Sequence, residues 1–227
     1  MYRALLFDLD GTLLDFKAYE NIALKKLFDS RGVELSPRMR EIYDGVNGGL
    51  WRRYELGEIS MDGVLQSRFP LALKKAGIDV DGSDWEREYR VLLGGGYVMI
   101  DGADDLCKSL FADYDMYIVT NGTRDTQLKR LAMSGLGAYF GAVFDSQTIG
   151  FQKPDPRFYD AVAKKLLPIS RGEMLIIGDS PETDIKGGIA AGIDTCWFAP
   201  GGEAYPYDDR PTYTARTMGD IEKIARA

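Results

Sequence analysis

Two aspartates, Asp8 and Asp10, follow an apolar run from Ala4 to Phe7 near the start of the chain. A short apolar run that leads into turn residues, here Gly11 and Thr12, is typical of a buried strand ending in a turn. Charged carboxylates are costly to bury unless they are paired or bind a metal ion, and open α/β sheets bind ligands at the carboxyl ends of their strands. An ordinary polar turn explains one aspartate, whereas two of them indicate a possible functional site.

Polar side chains also follow later predicted strands. Thr120, with Asn121 beside it, comes after an apolar run; Lys153 lies in a proline-rich loop; and Asp179 follows another apolar run, with Asp184 about one helical turn further on. Separately, these residues fit an ordinary turn, a surface lysine and an acid in the first turn of a helix. Together with the first two aspartates they form a set suited to phosphoryl transfer, in which the protein positions groups and neutralises charge. Oxygen ligands of this kind suit Mg²⁺.

The composition narrows the possible chemistry because the chain contains 0 histidines. Their absence excludes Ser-His-Asp and Cys-His catalysis, the HExxH zinc site and an imidazole general base. A carboxylate nucleophile fits this restriction, since an aspartate with a reference pKa of about 3.9 is ionised at neutral pH. The two cysteines, Cys107 and Cys196, are far apart and are expected to be buried apolar residues rather than ligands.

Charge and hydropathy argue against large or membrane partners. A net charge of −7 is unsuited to binding a nucleic-acid polymer, which needs many Lys and Arg contacts to phosphates, although it allows a small phosphorylated metabolite. No apolar run approaches the roughly 20 residues that cross a bilayer, and the amino terminus lacks a secretory pattern. We therefore expect a cytoplasmic protein with no membrane partner. Neither a P-loop motif nor a G-x-G-x-x-G motif after a strand is found.

The elements that would position these residues alternate between strand and helix after residue 96, which predicts an α/β fold with a parallel sheet covered by helices. Between residues 15 and 94 the pattern is helical throughout, and Ser36-Pro37, Ser60 and Gly77 are predicted helix boundaries. Gly48-Gly49 is expected to interrupt the second of these helices. We predict a catalytic core of residues 1–15 and 96–227, with residues 16–95 as a helical domain inserted after the first strand, over the strand ends.

The order of these motifs resembles the four motifs of the haloacid dehalogenase (HAD) superfamily, in particular its Mg²⁺-dependent phosphatases. The matching positions are Asp8-x-Asp10-x-Thr12, Thr120, Lys153 and Gly178-Asp179 with Asp184. The resemblance extends over the whole chain. It implies a Rossmann-like parallel-sheet core of the HAD type with an inserted helical-bundle cap.

The resemblance also implies a role for each motif residue. Asp8 would attack phosphorus to form an aspartyl-phosphate, and Asp10 would protonate the leaving oxygen and then activate water. One Mg²⁺ would be bound by the Asp8 and Asp179 carboxylates and the Asp10 backbone carbonyl. Dehalogenases of the superfamily lack the acid at position 10, so its presence favours phosphate chemistry.

The remaining motif residues would support this chemistry. Thr120, Asn121 and Lys153 would bind the phosphate, and Lys153 would offset charge on the nucleophile. Thr12 would brace the turn, and Asp184 would hold a water on the metal or Lys153.

Several segments are similar to the bacterial 5′-nucleotidase branch of the superfamily, namely residues 8–20, 49–57, 118–122, 150–154 and 178–180. Those enzymes prefer pyrimidine nucleoside monophosphates, often deoxy, so the resemblance implies a nucleotide substrate. Candidate substrate contacts are Phe16, whose ring could pack on a base or ribose, and Asn47, Trp51 and Arg52 around the predicted glycine break. Trp51 also fits the core of the inserted domain, and Arg52 a solvated helix face.

The sequence leaves other functions open. A phosphoglycolate phosphatase, a sugar-phosphate phosphatase or a phosphomutase of the same superfamily would share the core motifs. A catalytically inactive phosphate-binding regulatory protein is a more distant alternative, and the presence of Asp8, Asp10 and Asp179 argues against it. Monomer and homodimer are both compatible with the sequence.

Overall fold

The computed structural model describes residues 1–227, which form two compact units. The core unit comprises residues 1–16 and 97–227, and the helical unit comprises residues 17–96. The predicted boundaries differ from these by one residue at each crossing. No helix has the combination of length and apolar character that a membrane-spanning helix needs.

The core unit is built on a parallel sheet of 6 strands in the order β3-β2-β1-β4-β5-β6. The strands are β1 (Ala4–Phe7), β2 (Asp115–Thr120), β3 (Ala142–Asp145), β4 (Met174–Gly178), β5 (Asp194–Phe198) and β6 (Tyr213–Ala215). The α-helices of this unit are α5 (Ala103–Leu110), α6 (Arg124–Ser134), α7 (Ser146–Ile149), α8 (Pro156–Lys165), α9 (Lys186–Ala190) and α10 (Met218–Arg226). This is the α/β architecture that the strand–helix alternation predicts.

Strand β1 lies between β2 and β4 in the middle of the sheet. All of its side chains are apolar and fully buried, which suits this central position. Phe7 pairs with Ile118 of β2 on one side and with Ile177 of β4 on the other. Leu5 and Phe7 join one hydrophobic cluster, whereas Ala4 and Leu6 join a second, as expected for a strand that is covered on both faces. The residues that follow β1, β2 and β4 therefore emerge side by side at one edge of the sheet.

The helical unit is formed by α1 (Phe16–Ser30), whose first residue belongs to the core unit, and by α2 (Pro37–Glu55), α3 (Met61–Ala76) and α4 (Trp85–Leu93). The predicted start of α2 and both predicted boundaries of α3 are confirmed. The Ser36 hydroxyl accepts a hydrogen bond from the first turn of α2, and Ser60 does the same for α3. Gly77 ends α3 with a φ of 75°, a left-handed conformation that glycine adopts easily.

The predicted glycine break is wrong, because α2 continues through Gly48 and Gly49 to Glu55. Each glycine costs about 1 kcal/mol relative to alanine in a helix. The helix compensates for this by burying Tyr43, Leu50 and Tyr54, and burying one large apolar side chain contributes about 1.5–3 kcal/mol. Packing therefore overrides the local preference of the glycines.

Candidate active site

Lys153 lies at the centre of the candidate site and is almost fully buried, with 2% of its surface exposed. Its ammonium group donates hydrogen bonds of 2.6 Å to Asp8 Oδ1 and 2.6 Å to Asp184 Oδ1, and a third of 2.9 Å to the Val119 carbonyl. All three ammonium hydrogens therefore have acceptors. The lysine joins the residue after β1 to the acid that follows β4.

The protonation of this cluster follows from its burial. Burial by itself lowers the pKa of Lys153, but the carboxylates of Asp184 and Asp8 outweigh it and raise this pKa well above the usual value. Burial raises the pKa of Asp8 well above its usual range, and Lys153 opposes that rise. The pKa of Asp179 is raised to about 7, chiefly by burial and then by Asp184. Lys153 therefore stays an ammonium group, whereas burial disfavours the ionised forms of Asp8 and Asp179.

The donor atoms of the cluster fit a divalent cation. One carboxylate oxygen from each of Asp8, Asp179 and Asp184 lies within 4.8 Å of the other two. A divalent ion would favour the ionised forms of these carboxylates, which together with the Lys153 ammonium would carry two excess negative charges, equal to the charge of the ion. The set contains only oxygen, the donor type that Mg²⁺ prefers over nitrogen or sulfur.

Glycines allow the acids to approach the backbone. Gly11 has a φ of 89°, and a Cβ at this position would lie 2.3 Å from Asp179 Oδ2. A Cβ on Gly178 would lie 2.2 Å from Asp184 Oδ2. Any larger residue at either position would displace a carboxylate of the site.

The residues predicted to support the site contact these acids. The Thr12 hydroxyl donates a hydrogen bond of 3.4 Å to Asp179 Oδ1. Asp184 accepts from Lys153 through Oδ1 and, at 3.1 Å, from the backbone N–H of Ser180 through Oδ2. Trp197, which sequence reasoning missed, donates its indole N–H to the Asp179 carbonyl at 2.9 Å.

Thr120 is the last residue of β2 and Asn121 follows it, and their side chains have different partners. Thr120 is buried, and its hydroxyl oxygen accepts a hydrogen bond of 3.0 Å from the Gly122 N–H. The carboxamide of Asn121 is bound to the backbone of Lys153: Oδ1 accepts from its N–H at 2.8 Å, and Nδ2 donates to its carbonyl at 2.9 Å. The Asn121 side chain therefore holds the lysine loop in place, and its predicted contact with phosphate stays a prediction.

The Asp10 carboxylate is hydrogen-bonded not to Lys153 but to two side chains of α6. Its Oδ2 accepts a hydrogen bond of 2.7 Å from Gln127 Nε2, and its Oδ1 accepts from Arg130 Nη1. Sequence reasoning missed both α6 residues. The only local signal is that Gln127 and Arg130 are one helical turn apart, and nothing local links them to a residue more than one hundred positions earlier.

The candidate substrate contacts are divided between the two units. Phe16 belongs to the core unit, and its ring centroid lies 5.4 Å from Arg130 Cζ. Within the helical unit, Trp51 packs edge-on against Tyr54 at 5.7 Å, and Asn47 Oδ1 accepts from an arginine of α3 at 3.4 Å. The contact with Tyr54 makes Trp51 part of the packing of its own unit. Arg52, by contrast, is exposed.

Comparison with known proteins decides the family. The family model for haloacid dehalogenase-like hydrolases matches residues 2–192. The chain belongs to this family. The predicted membership of this haloacid dehalogenase-like hydrolase is confirmed.

Three relatives are similar over nearly their whole length. YfnB of Bacillus subtilis, a HAD-hydrolase, is 43% identical over 98% of this chain and 95% of its own. The crystal structure of YfnB bound to magnesium, which reveals interdomain movement in that protein, matches with a TM-score of 0.94 at 42% identity and covers 100% of this chain and 99% of YfnB. The pyrimidine 5′-nucleotidase PynA of Streptococcus pneumoniae is 39% identical over 97% of this chain and 93% of its own. The pyrimidine 5′-nucleotidase YjjG of Escherichia coli is 27% identical over 97% and 96%.

Proposed function

We propose that this hydrolase is a Mg²⁺-dependent phosphatase that hydrolyses the 5′-monophosphates of pyrimidine nucleosides and deoxynucleosides through an aspartyl-phosphate. The observation that carries the proposal is the buried Lys153 ammonium between Asp8 and Asp184, with the Asp179 carboxylate beside them. The relatives PynA and YjjG, both pyrimidine 5′-nucleotidases, support the choice of substrate.

In the first proposed step a carboxylate oxygen of Asp8 attacks phosphorus. The new P–O bond forms as the bond between phosphorus and the ester oxygen breaks, and Asp10 donates a proton to the departing nucleoside oxygen. Thr120 and Lys153 bind the phosphoryl oxygens, the lysine by exchanging one of its three acceptors for phosphate, and fix the phosphate for in-line attack. Mg²⁺ held by Asp8 and Asp179 would lower the repulsion between the anionic ester and the carboxylates.

In the second proposed step a water molecule attacks the same phosphorus atom. Asp10, now ionised, takes the proton from this water, and the bond between phosphorus and Asp8 breaks. Inorganic phosphate leaves and the Asp8 carboxylate is restored, so the enzyme returns to its starting state. The scheme needs no histidine, in agreement with the composition.

The choice among phosphate esters is proposed to depend on residues outside this cluster, because the cluster itself contacts only phosphate and metal. Phe16, Asn47, Trp51 and Arg52 remain the proposed substrate contacts. Asn47 and Trp51 already have partners within the helical unit. Phe16 and the exposed Arg52 are therefore the first positions to vary in a test of base preference.

A phosphate-release screen tests the proposal directly. The panel consists of pyrimidine and purine nucleoside monophosphates, sugar phosphates and phosphoglycolate, each assayed with Mg²⁺ and with EDTA. We expect the highest kcat/KM for pyrimidine nucleotides, no turnover in EDTA, and no turnover by a folded Asp8→Asn variant. Activity confined to sugar phosphates or phosphoglycolate would replace the nucleotide assignment, and an active Asp8→Asn variant would exclude the aspartyl-phosphate.

A further inference from the structure

The two α6 residues beside Asp10 form a buried hydrogen-bonded group of their own. Arg130 has none of its surface exposed and Gln127 has 1%. Arg130 Nη1 donates both to Asp10 Oδ1 and, at 2.9 Å, to Gln127 Oε1. Gln127 Nε2 donates to Asp10 Oδ2 at 2.7 Å. Both carboxylate oxygens of Asp10 are thus held from the same helix face, on which residues three apart are neighbours.

The orientation of the Gln127 carboxamide is determined by its partners. Oε1 faces the arginine, so Nε2 must face the acceptors, which are Asp10 and, at 3.0 Å, the hydroxyl oxygen of Thr120. One amide therefore joins the proposed acid–base residue to the proposed phosphate-binding threonine. The position of the Gln127 carboxamide depends on the glycine at residue 122, since a Cβ on Gly122 would lie 2.3 Å from Gln127 Nε2.

Stability alone does not explain a buried arginine at this position. Its Nε and Nη2 have no hydrogen-bond partner among the protein atoms, and the ring of Phe16 lies 5.4 Å from Cζ. Replacing a buried charge pair by well-packed apolar residues is often neutral or stabilising. The arginine does, however, hold the Asp10 carboxylate in one orientation, which an apolar side chain cannot do.

We propose that Gln127 and Arg130 are positioning residues for the reaction, because they fix the Asp10 carboxylate for proton transfer and keep it aligned with Thr120. This inference rests on the proposed phosphatase function. A misplaced acid–base group impairs turnover, whereas substrate binding by Lys153, Thr120 and the metal ligands is largely retained. The expected signature is therefore a loss in kcat with little change in KM.

The kinetic test uses Arg130→Met and Gln127→Leu, with Lys129→Met as the matched control. Lys129 is an exposed cation on the same helix. For a nucleoside monophosphate we expect kcat to fall about 100-fold in the first two variants with KM within about threefold of wild type, because general acid–base catalysis contributes about 10²–10⁴-fold. The control should stay within about twofold of wild type, and Arg130→Lys should recover part of the loss.

A second substrate, p-nitrophenyl phosphate, separates the two steps. Its leaving group departs without a proton, so the first step should survive misalignment of Asp10 while the water-dependent second step slows. Stopped-flow measurements on Arg130→Met should therefore show a burst of about one p-nitrophenolate per enzyme before slow turnover. Equal losses for both substrates without a burst, or a loss confined to KM, would overturn the proposal.

Crystal structures of wild type and both variants test the positioning without requiring activity. We expect the Asp10 carboxylate to rotate or shift when either partner is removed, while Asp8 and Lys153 stay in place. If Asp10 keeps its wild-type position in both variants, the proposal is refuted whatever the rates. If the wild-type enzyme hydrolyses no phosphate ester, the proposed function is refuted. The crystal structures would still decide separately whether Gln127 and Arg130 fix the position of the Asp10 carboxylate.

Discussion

Replacing Lys153 by methionine should destabilise the folded protein strongly in the absence of divalent cations. The ammonium group is hydrogen-bonded at 2.6 Å to both Asp8 and Asp184, whose side chains are 10% and 1% exposed. Removing one partner of a buried ion pair typically costs about 3–5 kcal/mol because the other charge is left uncompensated. Since two carboxylates lose their cation here, we expect a decrease of about 4 kcal/mol in the free energy of unfolding.

Urea unfolding followed by circular dichroism in EDTA measures this quantity. Lys164→Met is the matched control, because Lys164 is an exposed lysine on α8, and it should change the free energy of unfolding by less than about 0.5 kcal/mol. The double variant Lys153→Met, Asp184→Asn also removes the carboxylate of Asp184, one of the two groups that lose their cation in Lys153→Met. Its destabilisation should therefore be smaller than the sum of the two single changes by at least about 1 kcal/mol.

Magnesium provides a further arm of the same experiment. If Asp8 and Asp179 bind the ion as proposed, a concentration of about 100 times its Kd should stabilise the wild type by about 2.7 kcal/mol. It should also recover part of the loss in Lys153→Met, because the ion supplies positive charge to the same oxygens. A loss below about 1 kcal/mol for Lys153→Met, or strict additivity in the double variant, would refute the charge balance we describe.

Three further predictions concern other parts of the molecule. Gly11→Ala should abolish the stabilisation that we expect Mg²⁺ to give in thermal unfolding, because its Cβ would lie 2.3 Å from Asp179 Oδ2; an unchanged response would contradict this. Burial raises the pKa of Cys107 and Cys196 to about 12, so at pH 8 only about 10⁻⁴ of each is thiolate. Ellman's reagent should therefore titrate neither thiol in the native protein and both in denaturant. Arg68→Met should lower the stability of the helical unit by about 3 kcal/mol, measured by limited proteolysis against wild type. The change removes the two hydrogen bonds of 2.7 Å from Arg68 to Glu86 and leaves this carboxylate only the more exposed Arg90 at 3.5 Å.

The local sequence was sufficient for features that depend on local chemistry. Apolar runs followed by polar residues identified β1, β2 and β4, and the hydroxyl and glycine signals identified the start of α2 and both boundaries of α3. The meeting of Asp8, Lys153 and Asp179 followed from one topological rule, since parallel strands bring their carboxyl ends to one edge. The rule predicts that these residues lie near one another, but not which atoms are in contact.

The features that the sequence did not predict depend on contacts between distant residues. The continuity of α2 through Gly48 and Gly49 is determined by burial of its apolar face, which outweighs the local cost of the glycines. The sequence alone gives no partner for the Asn121 carboxamide, but in the folded chain this carboxamide is hydrogen-bonded to the Lys153 backbone. The contact of Arg130 with Asp10 spans 120 residues, and no local periodicity encodes it.

The two aspartates of the first motif illustrate how one residue type acquires two functions. Asp8 and Asp10 are two residues apart, so they leave the end of β1 close together and would repel each other if both lacked partners. The fold gives them separate cations: Lys153 for Asp8, and Arg130 for Asp10. The Asp8 side chain is 10% exposed and lies within the carboxylate cluster, whereas that of Asp10 is 27% exposed. In the proposed mechanism the first must remain an anionic nucleophile, while the second must exchange protons with the leaving oxygen and with water. Lys153 favours the anionic form of Asp8 against the burial that raises its pKa. The greater exposure of Asp10 suits the second task, because a proton-transfer group needs access to both of its partners. The division of roles between the aspartates therefore follows from the two cations and the burial around them rather than from the motif itself.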